Sequence, residues 1–162
     1  ALSAGIDVTH IDSHMGTILF PKFVQSYLQA GVTHRIPAML PRASAQGFDI
    51  LGLDEDTLTD YRQILQELES GGLPMIDGLT AMLLDHPDDN IGLAKKLLLE
   101  IPAGITHFIL HPSIDSPELR AIADDWRSRV ANYQAFMSHE LKDFIKNSGI
   151  QVIGYRKLKD TL

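Results

Sequence analysis

Short apolar runs alternate with longer stretches of helical period along the chain, and this alternation predicts βαβ units around a largely parallel sheet. Residues 6–11 read as the first strand. Pro21 then stands at a first helical position, Phe23, Val24, Tyr27 and Leu28 form one apolar face, and Gly31 ends the helix. Residues 36–40 read as a second short strand closed by Pro41-Arg42, and residues 43–53 as loop. Across residues 54–70, Leu58, Tyr61, Leu65 and Leu68 share one face of an amphipathic helix, with Gly71-Gly72 as its stop. Residues 74–77 are a candidate strand, the stretch to Asn90 is ambiguous, and residues 91–100 read as helix.

Residues 104–110 form the strongest predicted strand. Ile105, Thr106, Phe108, Ile109 and Leu110 have the β-branched and aromatic character of a buried parallel strand. It stops at His111-Pro112. Asp115-Ser116-Pro117-Glu118 then combines an N-cap, an early helical proline and an acidic residue that can fold back on the cap. Leu119, Ile122, Trp126, Val130 and Tyr133 follow at spacings of three and four, which predicts one long helix packed on the sheet. A helix over residues 138–147 ends at Ser148-Gly149, and residues 150–155 read as the last strand. No repeat, low-complexity segment or linker divides the chain, so residues 1–162 are expected to form a single domain.

Composition narrows the function without naming it. The 162 residues are 44% hydrophobic and 22% charged, the balance of a globular domain with a sizeable core. The formal charge is −7, and no basic run interleaves with aromatics. Nucleic acid and anionic membrane surfaces are therefore not expected partners, because both need a positive footprint. With no cysteine, disulfides, thiolate catalysis and Cys-based zinc sites are excluded. No apolar run reaches the length that spans a bilayer. The compartment stays open, with the cytoplasm favoured. The chain starts at Ala1 without a methionine, and it is expected to be part of something longer.

Two clusters stand where parallel α/β folds carry their chemistry, at the C-terminal ends of predicted strands. In Thr9-His10-Ile11-Asp12-Ser13-His14, three potential ligands occupy alternate positions and can converge on a metal if the segment leaves its strand extended. Imidazole with carboxylate suits zinc, iron, manganese or, less ideally, magnesium. The bland alternative has His10 and Asp12 capping a turn and His14 on the surface. His111 ends the strongest strand, where Pro112 fixes the backbone behind it. It can meet a substrate there, or merely bond across the strand end. Together the clusters suit metal-assisted hydrolysis: ligands that lower the pKa of a bound water, and a histidine that protonates the leaving group. Arg42 is a weaker candidate for orienting a carboxylate, and Asp77 serves equally well as a turn residue. His34, His86, His107 and His139 have no convincing partners, and Trp126 and Asp124-Asp125 read as core and solvated face.

At these residues the sequence resembles the YdjC-like carbohydrate deacetylases, the family of chitooligosaccharide deacetylase and the hopanoid-associated deacetylases. Val8-Thr9-His10-Ile11-Asp12-Ser13-His14 looks like that family's Thr-His-x-Asp-Ser-His motif. Phe108-Ile109-Leu110-His111-Pro112, with Ile114-Asp115 after it, resembles the later His-Pro motif, and Ile153-Gly154-Tyr155-Arg156 the closing strand. The resemblance implies the C-terminal portion only of a distorted (β/α) barrel of the polysaccharide-deacetylase type, with a divalent metal (Mg or Zn) at the strand ends. It implies His14 as a metal ligand, His10 and Asp12 as auxiliary ligands, His111 as the general acid, and Arg42 as support for a catalytic carboxylate. Two departures stand out. Met15-Gly16-Thr17 follows where the family usually has further histidines, and the family's opening Asp-Asp and later Gly-x-His motifs are not found in this chain.

The expected function is removal of N-acetyl groups from amino sugars or short oligosaccharides. The alternative is a non-catalytic carbohydrate-binding or assembly module on the same scaffold. A third reading is a metallohydrolase cleaving an amide or ester that is not on a sugar. A partial parallel sheet exposes an edge and apolar surface, so a homo-oligomer or other covering segment is expected.

Overall fold

A computed structural model describes residues 1–46, 54–85 and 88–162. The described residues form helices α1 (Pro21–His34), α2 (Glu55–Ser70), α3 (Asn90–Glu100), α4 (Pro117–Ile122), α5 (Trp126–Met137), α6 (His139–Asn147) and α7 (Arg156–Lys159), and three strands, β1 (Pro41–Gln46), β2 (Ile76–Ala81) and β3 (Thr106–Ile109). Short 3₁₀ turns cover Leu2–Ala4 and His14–Leu19. The strands form one sheet in the order β1-β2-β3. It is parallel and open, which corrects the barrel expectation: three short strands cannot curl far enough to close on themselves.

Several boundaries move for identifiable reasons. Residues 6–11 form no strand, only an isolated parallel bridge between Ile11 and Ala38. The second strand begins at Pro41 instead of ending there. A proline fits a strand's first position because its missing N–H is not yet needed in the ladder. Predicted loop residues 43–46 therefore belong to β1, while residues 47–53 and His86 lie outside the described residues. Helix α1 runs through Gly31 to His34 and ends at Arg35 in a left-handed conformation. Gly31 is required by close approach: a Cβ there would lie 3.0 Å from the Ile36 carbonyl.

The chain divides into two compact units. The first comprises residues 1–79, 103–105 and 153–162. Its core gathers Leu19, Val24, Tyr27, Leu40, Tyr61 and Leu65 among others. Here α2 lies against β1. Its buried face carries Tyr61 and Leu65, and the Asp54 side chain accepts the Thr57 N–H as its N-cap. Pro41 pairs with Ile76 and Gln46 with Gly78, with an irregularity between them.

The second unit comprises residues 80–102 and 106–152. Met82, Ala94, Leu98 and Leu141 centre its core, where α3, α5 and α6 pack on one another. The predicted long helix is broken at Ala123, whose backbone is extended (φ −135°, ψ 111°). The break resets the helical phase. Helix α5 buries Ser128, Asn132 and Ala135, while Ile122 and Tyr133 from the predicted apolar stripe stand 76% and 38% exposed. Residues 150–155, read as the last strand, carry none, and α7 follows them.

Candidate functional site

The His10–Asp12 segment is fixed at its middle residue. The Ile11 N–H donates to the Pro37 carbonyl at 2.9 Å, and the Ile11 carbonyl accepts from the Met39 N–H at 2.9 Å. The buried Tyr27 hydroxyl donates to the same carbonyl at 2.7 Å. Burial raises the Tyr27 phenol well above its ordinary value, so it stays a hydrogen-bond donor through the neutral range. In extended chain, residues two apart point to the same side. With Ile11 held, His10 and Asp12 therefore face one another, and His10 Nε2 lies 3.9 Å from Asp12 Oδ2.

Two neighbours set the imidazole. The Thr9 hydroxyl and His10 Nδ1 lie 3.1 Å apart. Tyr155 stacks on the ring with centroids 4.2 Å apart and planes 7° from parallel. Sequence reading placed Tyr155 in a closing strand and missed this contact, whose partners are too far apart in the chain for periodicity to reveal.

His14 opens the 3₁₀ turn His14–Leu19 and is exposed. Met15 and Gly16 both take positive φ there (57° and 67°), which swings the backbone away from extended geometry. Ser13 Oγ accepts the Ile18 N–H at 3.1 Å and ties the turn back. Among the described residues, no group of three or more His, Cys, Asp or Glu side chains gathers as a metal centre requires. The donor chemistry of His10 and Asp12 suits a divalent ion, but as arranged these residues supply two facing donors and not a closed shell.

Arg42 lies at the start of β1, not after a strand end. Its Nε donates to Asp77 Oδ1 at 2.8 Å and an Nη to Glu69 Oε1 at 2.6 Å. The second Asp77 oxygen accepts the Ile105 N–H at 2.7 Å. Asp77 thus joins β1, β2 and the entry to β3, and the turn reading of it gives way to a bridging role. Glu69 was not singled out in the sequence.

In the second unit, His111 lies two residues beyond β3. Its N–H donates to Asn132 Oδ1 at 3.3 Å, and Asn132 Nδ2 donates to Asn90 Oδ1 at 2.8 Å. Ser113 N–H donates to the Arg129 carbonyl at 3.2 Å. Asp125 pairs with Arg129 at 2.6 Å, and the guanidinium, with a smaller contribution from His111, holds its carboxyl below the ordinary carboxylate range. Trp126 is half-buried, with Arg120 and Arg127 4.7 and 4.5 Å from its ring centroid. His34 and His139 are exposed.

No helix among the described residues is long and apolar enough to cross a membrane. The family profile described as YdjC-like protein matches residues 1–147. That span overturns the expectation of a match to the family's C-terminal portion only. A carbohydrate deacetylase of Thermus thermophilus is 28% identical over 136 residues, which are 83% of this chain and 47% of that protein. A crystal structure from Enterococcus faecalis, described provisionally as a cellobiose-phosphate cleavage protein, superposes with a TM-score of 0.68 at 18% identity. It covers 97% of this chain and 55% of that one, and shows likeness of fold alone. The chain spans about half the length of these relatives.

Proposed function

Because the chain belongs to the YdjC-like family, we propose that it contributes to hydrolysis of N-acetyl groups on amino sugars or short oligosaccharides. The observation that carries this reading is the Ile11 clamp, which turns an imidazole and a carboxylate toward each other at 3.9 Å on a family motif. Water adds to the acetyl carbon, the carbon–nitrogen bond breaks, and acetate and a free amine leave. His111 is the proton donor to the departing nitrogen, and an imidazole suits that task because it gives and takes protons near neutrality. Arg42 orients carboxylates, with Asp77 and Glu69 as its partners in this structure.

A divalent ion, magnesium or zinc, would take His14 as a ligand, with His10 and Asp12 as auxiliary donors. Such an ion lowers the pKa of bound water and polarises the carbonyl. The donor shell these residues make is incomplete, so no step is routed through the ion.

Acetate release from a panel of N-acetylated sugars, with and without added Mg²⁺ or Zn²⁺, tests the proposal. In the full-length protein, acetate release is expected to be metal-dependent, and His14→Ala to abolish it. Undiminished turnover by His14→Ala would sink the site assignment. A second reading is a carbohydrate-binding module without catalysis on the same scaffold. Saturable sugar binding with no acetate release would decide for it. Release from non-sugar amides alone would point to a different hydrolase.

A further inference from the structure

The His111-Pro112-Ser113 segment lies along α5 in a way that backbone geometry explains. In extended chain the N–H groups of residues two apart point to one side. Here those donors belong to His111 and Ser113, and both end on α5, at Asn132 Oδ1 (3.3 Å) and the Arg129 carbonyl (3.2 Å). Positions 129 and 132 are three apart and so share one helix face. Pro112, between the two donors, has no N–H to leave unpaired on the other side.

Asn132 is fully buried at 0% exposure, and Asn90, the first residue of α3, is 5% exposed. A buried amide pair adds little net stability, since apolar groups of like shape can replace both members at nearly no cost. What the pair supplies is direction. Asn90 Oδ1 takes a hydrogen from Asn132 Nδ2, which leaves Asn132 Oδ1 turned toward the His111 N–H. Ser128, one turn earlier on α5, is also buried.

We infer that Asn132, oriented by Asn90, is the positioning residue that sets where His111 stands. The inference rests on the proposed role of His111 for its catalytic consequence, but its structural half is independent of that role. Asn132 touches no substrate and acts only through the backbone of His111.

The test uses the whole chain and two readouts. Amide hydrogen exchange at His111 is compared in wild type, Asn132→Leu and Asn132→Asp, with the Ser113 amide as internal reference. Asn132→Leu is expected to speed exchange at His111 roughly tenfold while Ser113 changes little, because one hydrogen bond of ordinary strength is lost. Asn132→Asp keeps the acceptor, and at a fully buried position its carboxyl stays protonated and can donate its O–H to Asn90 Oδ1 in place of the amide, so protection is expected to return. Protection at His111 that persists in Asn132→Leu would overturn the inference. Should Asn132→Leu fail to fold, Asn90→Ala frees the Asn132 amide to flip and is expected to weaken the same protection, and unchanged protection there overturns it equally. In the acetate-release assay, Asn132→Leu should lower kcat by about 10–100-fold with little change in KM, the effect of a displaced reacting group, and Asn132→Asp should rescue it. His111→Ala with full activity would defeat the catalytic role of His111 while leaving the exchange result standing, so the two failures are told apart.

Discussion

At Gly104 the backbone takes φ +117°, and a Cβ there would lie 2.2 Å from Asp77 Oδ2. The carboxylate it would strike is the one that accepts from Arg42 Nε and the Ile105 N–H. Gly104→Ala therefore combines backbone strain with displacement of Asp77. We expect a loss of about 2–3 kcal/mol in urea-induced unfolding, and an unchanged midpoint would show that Asp77 can move freely. Arg42 and Asp77 were both visible in the sequence as isolated polar residues. Their pairing was not, because the partners are 35 positions apart and Glu69 is 27 from Arg42. Ion pairing of this kind leaves no periodic trace. The same holds for Tyr155, which reaches His10 from the far end of the chain.

The break between α4 and α5 belongs to the scale of elements. Spacing alone continues the apolar stripe from Leu119 to Tyr133, yet Ala123 turns extended and Asp125 becomes the N-terminal neighbour of a new helix. Asp125 makes no side-chain cap bond to that helix, and pairs instead with Arg129 one turn on. Arg129 holds the Asp125 carboxyl below its ordinary value of 3.8. The folded protein thus binds this proton less readily than the unfolded chain. The pair's stabilisation is complete above 3.8 and is lost as pH falls through the lowered value. Asp125→Asn should cost only about 0.5 kcal/mol at neutral pH, since the pair is partly exposed, and should flatten the acid limb of a stability-against-pH curve. An acid limb as steep as wild type would assign that slope to other carboxylates.

For the whole molecule, an open sheet leaves two edge strands, here β1 and β3. The second unit also exposes Ile114 (64%), Ile122 (76%), Met137 (67%) and Val152 (77%). Unpaired edges and apolar surface favour association, so the isolated chain is expected to self-associate in size-exclusion chromatography with light scattering. A compact monomer at tens of micromolar would count against it. The sequence by itself determined what is local. The sequence placed α2, α3 and α6 to within about one residue, because helix formation depends on neighbours within a turn or two. Two ordered motifs pointed to the family, though the match runs over residues 1–147 and is not confined to the family's C-terminal portion. Only the tertiary structure decided what is non-local. Strand pairing replaced a strand before His10 with a single bridge at Ile11, began β1 at Pro41, and left the sheet open at three strands. Strand hydrogen bonds are made with distant chain, so an apolar run states a readiness to pair but not with what. The histidines could be read from the sequence. The Ile11 clamp and the Asn90–Asn132 pair could not, because each exists only when distant segments meet.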